Sequence, residues 1–169
     1  DTSGLVLLAK NPYSSCVLSD AVKDHTIHRE YAAIVSGKTD ASGTIDLPIA
    51  RKDGSTIERV LDPERGETAV THYRTFAYNK NADLSFIRLL LETGRTHQIR
   101  VHMASIGHPL LGDEVYGPVR QPFSLEGQTL HAGVLGFIHP RTGEYVEFSA
   151  PLPAYFEELL EKLRKKAGK

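Results

Sequence analysis

Two strand-like segments that follow each other directly restrict the possible folds more than any other feature of the chain. Residues 69–78 alternate between two sets of side chains, and residues 84–91 form a second, largely apolar run. The segment between them, Asn79-Lys-Asn-Ala-Asp83, has the composition of a turn. Because alternation puts successive side chains on opposite faces of a sheet, the two segments predict an antiparallel hairpin.

Further short segments predict the other strands of this sheet. They lie at residues 4–9, 27–35, 43–50, 130–138 and 145–149. The apolar run at 4–9 is expected to be a buried strand. Pro48 places the strand at 43–50 on a sheet edge, because proline cannot donate a ladder hydrogen bond. Residues 51–66 are polar, contain Gly and Pro, and are expected to form a long loop or a hairpin.

About three helices accompany these strands. The first is expected to start at a cap in the pair Ser14-Ser15, with Cys16 facing the core. The second is expected at residues 96–106 with Thr96 as its cap, and the third has an apolar face within residues 156–163. Several strands and few helices in mixed order predict an α+β fold. Helices flank a mixed, largely antiparallel sheet, and residues 1–169 form a single domain.

Composition excludes some functions and leaves others open. The net charge is −1, so the chain lacks the strongly basic balance of many nucleic-acid binders. Its one cysteine, Cys16, allows no intrachain disulfide, and no apolar run approaches the roughly 20 residues of a membrane span. A cytoplasmic protein with no membrane contact is expected. His97 and His102 are spaced so that they point in different directions on a helix, and no metal is expected.

The segment from Leu91 to Met103 carries the most chemistry. It reads as a strand, a turn at Gly94 and a helix, and free N–H groups at a helix start attract anions. Arg95 adds a guanidinium suited to phosphate, so a phosphate or carboxylate site is one interpretation, and an ordinary helix start with a surface arginine is the other. Arg100 lies beside an apolar stripe and is expected to need a carboxylate partner.

A second candidate site lies on the strand at residues 27–35. Arg29 and Tyr31 share one face of this strand, because side chains two residues apart point the same way. An aromatic ring beside an arginine could receive a flipped base by stacking. The alternative is a half-buried tyrosine of the core.

These segments together resemble one family. Thr93-Gly-Arg-Thr-His-Gln-Ile-Arg-Val-His102, followed by Ile106-Gly-His-Pro109, Leu111-Gly-Asp113 and Tyr116-Gly117, resembles the long signature of RluA-type RNA pseudouridine synthases. Arg29-x-Tyr31-x-Ala33-x-Val35-x-Gly37 is similar to a strand motif of the same family, and Leu130-His-Ala132 and Phe148-x-Ala150-Pro151-x-Pro153 are similar to its closing segments. The resemblance covers essentially the whole chain.

The resemblance implies where the nucleophile belongs. Asp1-Thr2-Ser3-Gly4 is similar to the end of the family motif His-Arg-Leu-Asp-x-x-Thr-Ser-Gly, whose nucleophilic Asp comes two residues before the position of Asp1. The chain is therefore expected to be most of a catalytic domain that lacks its N-terminal part. By itself it is expected to be inactive.

The resemblance also implies a reaction and roles. The reaction is isomerisation of a uridine to pseudouridine in structured RNA, ribosomal or transfer, by a monomer with no metal and no organic cofactor. Tyr31 would stack on the flipped base, and Arg100 would pair with the nucleophilic Asp. Arg95, His97 and Gln98 would lie near the flipped nucleotide or its phosphates.

Two other functions remain open from the residues alone. One is a non-catalytic RNA-binding module, because the nucleophile is missing from this chain. The other is a different enzyme, such as a phosphate-ester hydrolase that uses the anion site at residues 93–96. A bound metal or a clustered pair of carboxylates would favour the hydrolase.

Overall fold

The structure is a computed structural model that describes residues 2–118, 123, 125 and 127–167; Asp1 lies outside the described residues. The helices are α1 (Pro12–Lys23), α2 (Gln98–Ser105) and α3 (Ala154–Ala167). The strands are β1 (Ser3–Gly4), β2 (His28–Ser36), β3 (Ser42–Asp46), β4 (Ile49–Arg51), β5 (Arg59–Leu61), β6 (Val70–Asn79), β7 (Leu84–Leu91), β8 (Leu130–Ile138) and β9 (Tyr145–Ser149).

One large sheet organises the described part of the chain. Seven strands pair in the order β1-β8-β2-β7-β6-β3, with β9 also paired to β8. All of these pairings are antiparallel except that of β1 with β8. The predicted α+β fold is confirmed, as are the hairpin of β6 with β7 and the edge position of β3. Within residues 51–66, β5 forms a small separate hairpin with β4.

The two faces of the sheet are covered by different helices. On one face, Ala33 and Ile87 pack with Ile99 and Met103 of α2. On the other face, Ala32 and Ile34 pack with α3, whose buried side chains are Phe156, Leu159 and Leu163. This alternation along β2 is what a strand covered on both faces requires. No helix within the described residues is long and apolar enough to cross a membrane.

The predicted buried strand at residues 4–9 is wrong. Only Ser3 and Gly4 are in β1, and the side chains of Val6 and Leu8 are 77% and 79% exposed. The cause is competition for one edge of β8. Residues 131–132 pair with β1, but residues 134–138 on the same strand pair with β9, so no partner remains for residues 5–9.

Helix α1 begins earlier than predicted and buries a different face. Its N-cap is Asn11, whose side chain accepts a hydrogen bond from the backbone N–H of Ser14 at 2.8 Å, and Pro12 takes the first turn, where its missing N–H costs nothing. Cys16 is exposed, so its predicted inward position is wrong, and Leu18 is the buried residue of the helix. Leu18 packs with Ile27 and Phe137.

Candidate functional site

A cavity of about 400 Å³, called the first cavity below, lies where α2, β2, β8 and the N-terminal segment meet. Its lining includes Thr2, Ser3, Tyr31, Arg95, His97, Gln98 and Arg100. The structure therefore brings together all five side chains that the sequence singled out, from segments far apart in the chain. Tyr31 and Arg100 line the same cavity.

An irregularity in the sheet positions Tyr31. On β8 the partner of Glu30 is Val134, whereas the partner of Tyr31 is Ala132, so Gly133 is an extra, bulged residue. Such bulges bend a strand and re-aim a side chain, and they occur often next to active sites. The Tyr31 ring is half-buried against the α2 face of the core, and burial raises the pKa of its hydroxyl, an effect that Arg29 opposes. The hydroxyl is therefore neutral at pH 7.

The N-terminal segment is fixed to β8 at the edge of the cavity. Gly4 has a φ of 106°, and a Cβ at this position would collide with the backbone of Ala132, so only glycine fits. The Ser3 hydroxyl lies 2.9 Å from Nδ1 of His131, and the N–H of Leu5 donates to the carbonyl of Ala132 at 3.0 Å. Residues 2–5 therefore form one wall of the cavity.

Helix α2 is short and buried, and the amide of Gln98 at its start is fully hydrogen-bonded. Gln98 is 2% exposed, and its Oε1 accepts hydrogen bonds from the Thr93 hydroxyl at 2.8 Å and the Arg95 N–H at 2.9 Å. Its Nε2 donates to the carbonyl of Val70 and to the Thr71 hydroxyl, both at 3.0 Å. These bonds tie the helix start to β6, and they leave the Gln98 amide committed to the fold.

The start of α2 differs from the prediction. The helix begins at Gln98, and its N-cap is His97 in the left-handed conformation with a φ of 57° and no side-chain cap bond. Thr96 is thus not the cap. The Gln98 side chain folds back and accepts the backbone N–H of Arg95, which lies before the helix. A left-handed conformation is uncommon for a residue other than glycine and is often found at functional sites.

Arg100 forms a buried, two-pronged ion pair with Asp113. Its Nε and Nη2 donate to the two carboxylate oxygens at 2.7 and 2.8 Å, and the Asp113 side chain is fully buried. Asp113 also accepts from the N–H groups of Val115 and Tyr116, at 2.9 and 3.0 Å. The carboxylate partner that the sequence predicted for Arg100 is therefore present within this chain, and Asp113 also holds a turn.

Opposing effects set the pKa of Asp113. Burial favours the neutral acid and raises the pKa, but the hydrogen bonds from Arg100 and from the Tyr116 backbone outweigh burial, so the pKa lies below its ordinary value. The hydrogen bond to Asp113 likewise raises the pKa of Arg100 against the effect of burial. Both groups are charged at neutral pH.

Tyr116 also belongs to the site. In the sequence it is marked only by its position in the family signature. Its hydroxyl accepts the N–H of Arg59 at 2.8 Å and lies 3.0 Å from Nδ1 of His97. Its ring is edge-on to the His97 ring and lies 5.0 Å from the Arg100 guanidinium. The tautomer of His97 decides whether Nδ1 or the Tyr116 hydroxyl donates the hydrogen bond between them.

Burial, then the positive charges of Arg100 and Arg59, lower the pKa of His97. A neutral imidazole is therefore expected at pH 7, with Nδ1 facing Tyr116.

Arg95 is less free than the predicted anion site requires. Its Nη1 pairs with the exposed carboxylate of Glu67 at 2.5 Å, and its Nε donates to the carbonyl of Thr68 at 3.0 Å. The side chain is 38% exposed, compared with 10% for Arg100, so Arg95 lies nearer the mouth of the cavity. Among the described residues, no three His, Cys, Asp or Glu side chains are grouped to hold a metal ion.

Comparison with known proteins decides the family. A model of the RNA pseudouridylate synthase family matches residues 1–105. The chain belongs to this family. Among curated proteins, the chain is 50% identical to an uncharacterized RNA pseudouridine synthase of Bacillus subtilis, YlyB, over 168 residues, 98% of this chain and 54% of that protein.

Further relatives agree on the family. The chain is 45% identical to the ribosomal large subunit pseudouridine synthase D of Zymomonas mobilis, over 96% of this chain and 53% of that protein. The chain thus spans about half the length of the curated relatives it matches. The structure of human RNA pseudouridylate synthase domain containing 1 aligns with a TM-score of 0.70 and 25% identity, over 92% of this chain and 73% of that one. The RluA-type resemblance and the fold predicted from it are confirmed.

Proposed function

We propose that this chain supplies most of a catalytic domain that isomerises uridine to pseudouridine in ribosomal RNA. The observation that carries the proposal is the convergence of Tyr31, Arg100 and residues 2–5 on one cavity. In the family motif the nucleophilic Asp comes shortly before Thr2, and Thr2 and Ser3 line that cavity. The proposal includes a cytoplasmic setting, because the substrate is RNA.

In the proposed reaction the target uridine is flipped out of its RNA and enters the first cavity. The half-buried Tyr31 ring supports one face of the base. The glycosidic bond between N1 and the sugar breaks, the uracil turns, and a carbon–carbon bond forms between the sugar and C5. The hydrogen on C5 leaves and N1 gains one, so the product is an isomer of the substrate.

Arg100 is proposed to keep the nucleophilic Asp ionised. Asp113 occupies its Nε and one Nη2 hydrogen, and an arginine has five N–H bonds, so others remain available on the same fork. A carboxylate that is partly desolvated beside a flipped base would have a raised pKa. A guanidinium within about 4–6 Å opposes that effect and favours the charged form.

The other predicted site residues receive different roles. His97 is proposed to form a hydrogen bond to the nucleotide through Nε2, because Tyr116 occupies Nδ1. Arg95 is proposed to contact RNA at the mouth of the cavity, where it would exchange Glu67 for a phosphate. Gln98 is proposed to position the start of α2 and not to bind the substrate, because its amide is fully engaged.

The test uses a chain that includes the residues preceding Asp1, with an unmodified large-subunit ribosomal RNA transcript as substrate. Pseudouridine formed in a single turnover is measured beside RNA binding. The parent and an Arg141→Met control, altered in the exposed turn between β8 and β9, should form pseudouridine equally. A parent that binds this RNA and never forms pseudouridine would instead support the non-catalytic RNA-binding module.

Arg100→Met should abolish turnover, but it also leaves Asp113 buried without a partner and can prevent folding. The double variant Arg100→Met/Asp113→Asn removes both charges, and replacing a buried ion pair in this way is often neutral for stability. Leaving the ionised nucleophile without its partner costs about 3–5 kcal/mol. If this cost is added to the reaction barrier, the rate falls by several powers of ten. A folded double variant that turns over within tenfold of the parent would show that Arg100 is not needed.

A further inference from the structure

Arg29 is a half-buried cation without an anionic partner in the described part of the chain. Its Nη2 makes a long hydrogen bond of 3.4 Å to the carbonyl of Glu92, and its Nε is buried with no hydrogen-bond partner. None of the ion pairs between described residues involves Arg29. A desolvated guanidinium normally requires a carboxylate or a phosphate, because the unpaired charge destabilises the fold.

Arg29 lies beside a second cavity that adjoins the first. This second cavity, of about 330 Å³, shares Leu5, Val6, Tyr31 and Ala132 with the first cavity. The remaining lining is apolar apart from Arg29 itself: Leu7, Val22, Ile27, Val134 and Leu135. The Tyr31 ring thus stands between a cavity proposed for the flipped base and a cavity with one cation and apolar walls.

Gly94 provides the space that the guanidinium occupies. A Cβ built on Gly94 would collide with Nη1 of Arg29, and the three atoms nearest to it all belong to this guanidinium. The obstacle is the far end of a flexible side chain and not the backbone, so an alanine at position 94 would displace Arg29 without disrupting the fold. Burial lowers the pKa of Arg29, yet an arginine remains charged at neutral pH.

We infer that Arg29 binds a backbone phosphate of the RNA nucleotide adjacent to the target uridine, with the rest of that nucleotide in the second cavity. The inference rests on the proposed function, since it names a further subsite of the same cleft. The planar guanidinium matches the geometry of a phosphate, and the apolar walls suit the sugar and base. The neighbouring arginines are less suited, because Arg95 pairs with Glu67 and Arg100 with Asp113.

The first experiment measures the salt dependence of RNA binding, with the chain that includes the residues preceding Asp1 and the unmodified large-subunit transcript as probe. Each phosphate contact contributes about 0.7–0.9 to the slope of log affinity against log salt. Arg29→Met should reduce the slope by about that amount and weaken binding about ten- to hundredfold at low salt. Arg29→Lys should keep the slope, and the Arg141→Met control should match the parent. An unchanged slope in Arg29→Met would overturn the inference.

The second experiment compares Gly94→Ala with Arg29→Met in a double-mutant cycle. In the parent, Gly94→Ala should weaken RNA binding because it displaces the guanidinium, whereas in the Arg29→Met background it should have no further effect. Equal losses from Gly94→Ala in both backgrounds would show that position 94 acts independently of Arg29.

The melting temperature without RNA identifies the partner of Arg29. If the partner is RNA, Arg29→Met should leave the melting temperature unchanged or raise it, because a desolvated unpaired charge is removed. If the partner is a carboxylate in a part of the protein outside this chain, the melting temperature should fall, and that result would overturn the inference. Absence of pseudouridine in the parent would refute the proposed function alone, because binding slopes and melting temperatures do not depend on turnover.

Discussion

Replacing Asp113 with asparagine removes one charge from the most deeply buried ion pair in the described structure and almost no volume. The amide oxygen can keep the hydrogen bonds from Val115, Tyr116 and Nη2 of Arg100, but its NH₂ group would then face the Nε–H donor of Arg100. The guanidinium stays charged, because arginine is not deprotonated in proteins. Asp113→Asn therefore leaves a buried cation facing a donor.

The expected loss of stability follows from this geometry. Removing one partner of a buried ion pair typically costs about 3–5 kcal/mol. In a domain of this size, each kcal/mol lowers the melting temperature by about 2–4 °C, so a decrease of about 6–20 °C is expected. Asp53→Asn is the matched control. Asp53 pairs with Arg65 at 3.3 Å, but its side chain is 81% exposed, and exposed pairs contribute about 0–1 kcal/mol.

The pH dependence distinguishes an ion-pair effect from a packing defect. The pKa of Asp113 is lower in the folded state than its ordinary 3.8, so its stabilisation is fully present above that pH and is lost as the pH falls through the folded-state pKa. The difference in unfolding free energy between the parent and Asp113→Asn, measured by chemical unfolding from pH 7 to pH 2, should therefore shrink toward the acid end. A loss under 1 kcal/mol at pH 7, or a difference that persists undiminished in acid, would refute this reasoning.

Three further variants probe the same region. Tyr116→Phe leaves the Arg59 N–H and His97 Nδ1 without their shared partner; it should cost about 1–3 kcal/mol and change the ¹⁵N shifts of the His97 ring, measured by NMR. His102 is buried and its pKa is lowered by burial, so the folded parent should lose stability as the pH falls below about 6.5, and His102→Gln should flatten that dependence in urea unfolding. Tyr31→Leu, in the chain that includes the residues preceding Asp1, should slow single-turnover pseudouridine formation more than it weakens RNA binding.

Local patterns were enough to predict most of the fold. Strand β8 and strand β9 have the predicted bounds, and the apolar face of α3 is the buried one. These elements follow from alternation and helical spacing within one segment. The prediction of a strand at residues 4–9 was wrong because it depends on which segment pairs with the free edge of β8. Strand β9 pairs there, and it lies far from residues 4–9 in the chain.

Site residues were predicted, but their partners were not. Periodicity and composition show that Arg100 needs a carboxylate, yet only the fold selects Asp113, which follows it by 13 positions. Gln98 was expected near the substrate, whereas the structure commits its amide to Thr93, Arg95 and β6. A motif shows which residues recur together, and it does not separate those that hold the site from those that face it. That separation depends on hydrogen bonds between distant segments.

The charges around the two cavities limit how the site can act. Three arginines line them, and two of these are neutralised, Arg95 by Glu67 and Arg100 by Asp113. Arg100 can therefore stabilise a second carboxylate through hydrogen bonds from its remaining N–H groups, but the Arg100–Asp113 pair adds little net positive charge to the site. The uncompensated charge is that of Arg29, on the far side of Tyr31. A site arranged in this way would attract the RNA backbone at Arg29 and leave the ionisation of the nucleophile to the geometry of Arg100, so Arg29→Met should affect mainly binding and Arg100→Met/Asp113→Asn mainly turnover.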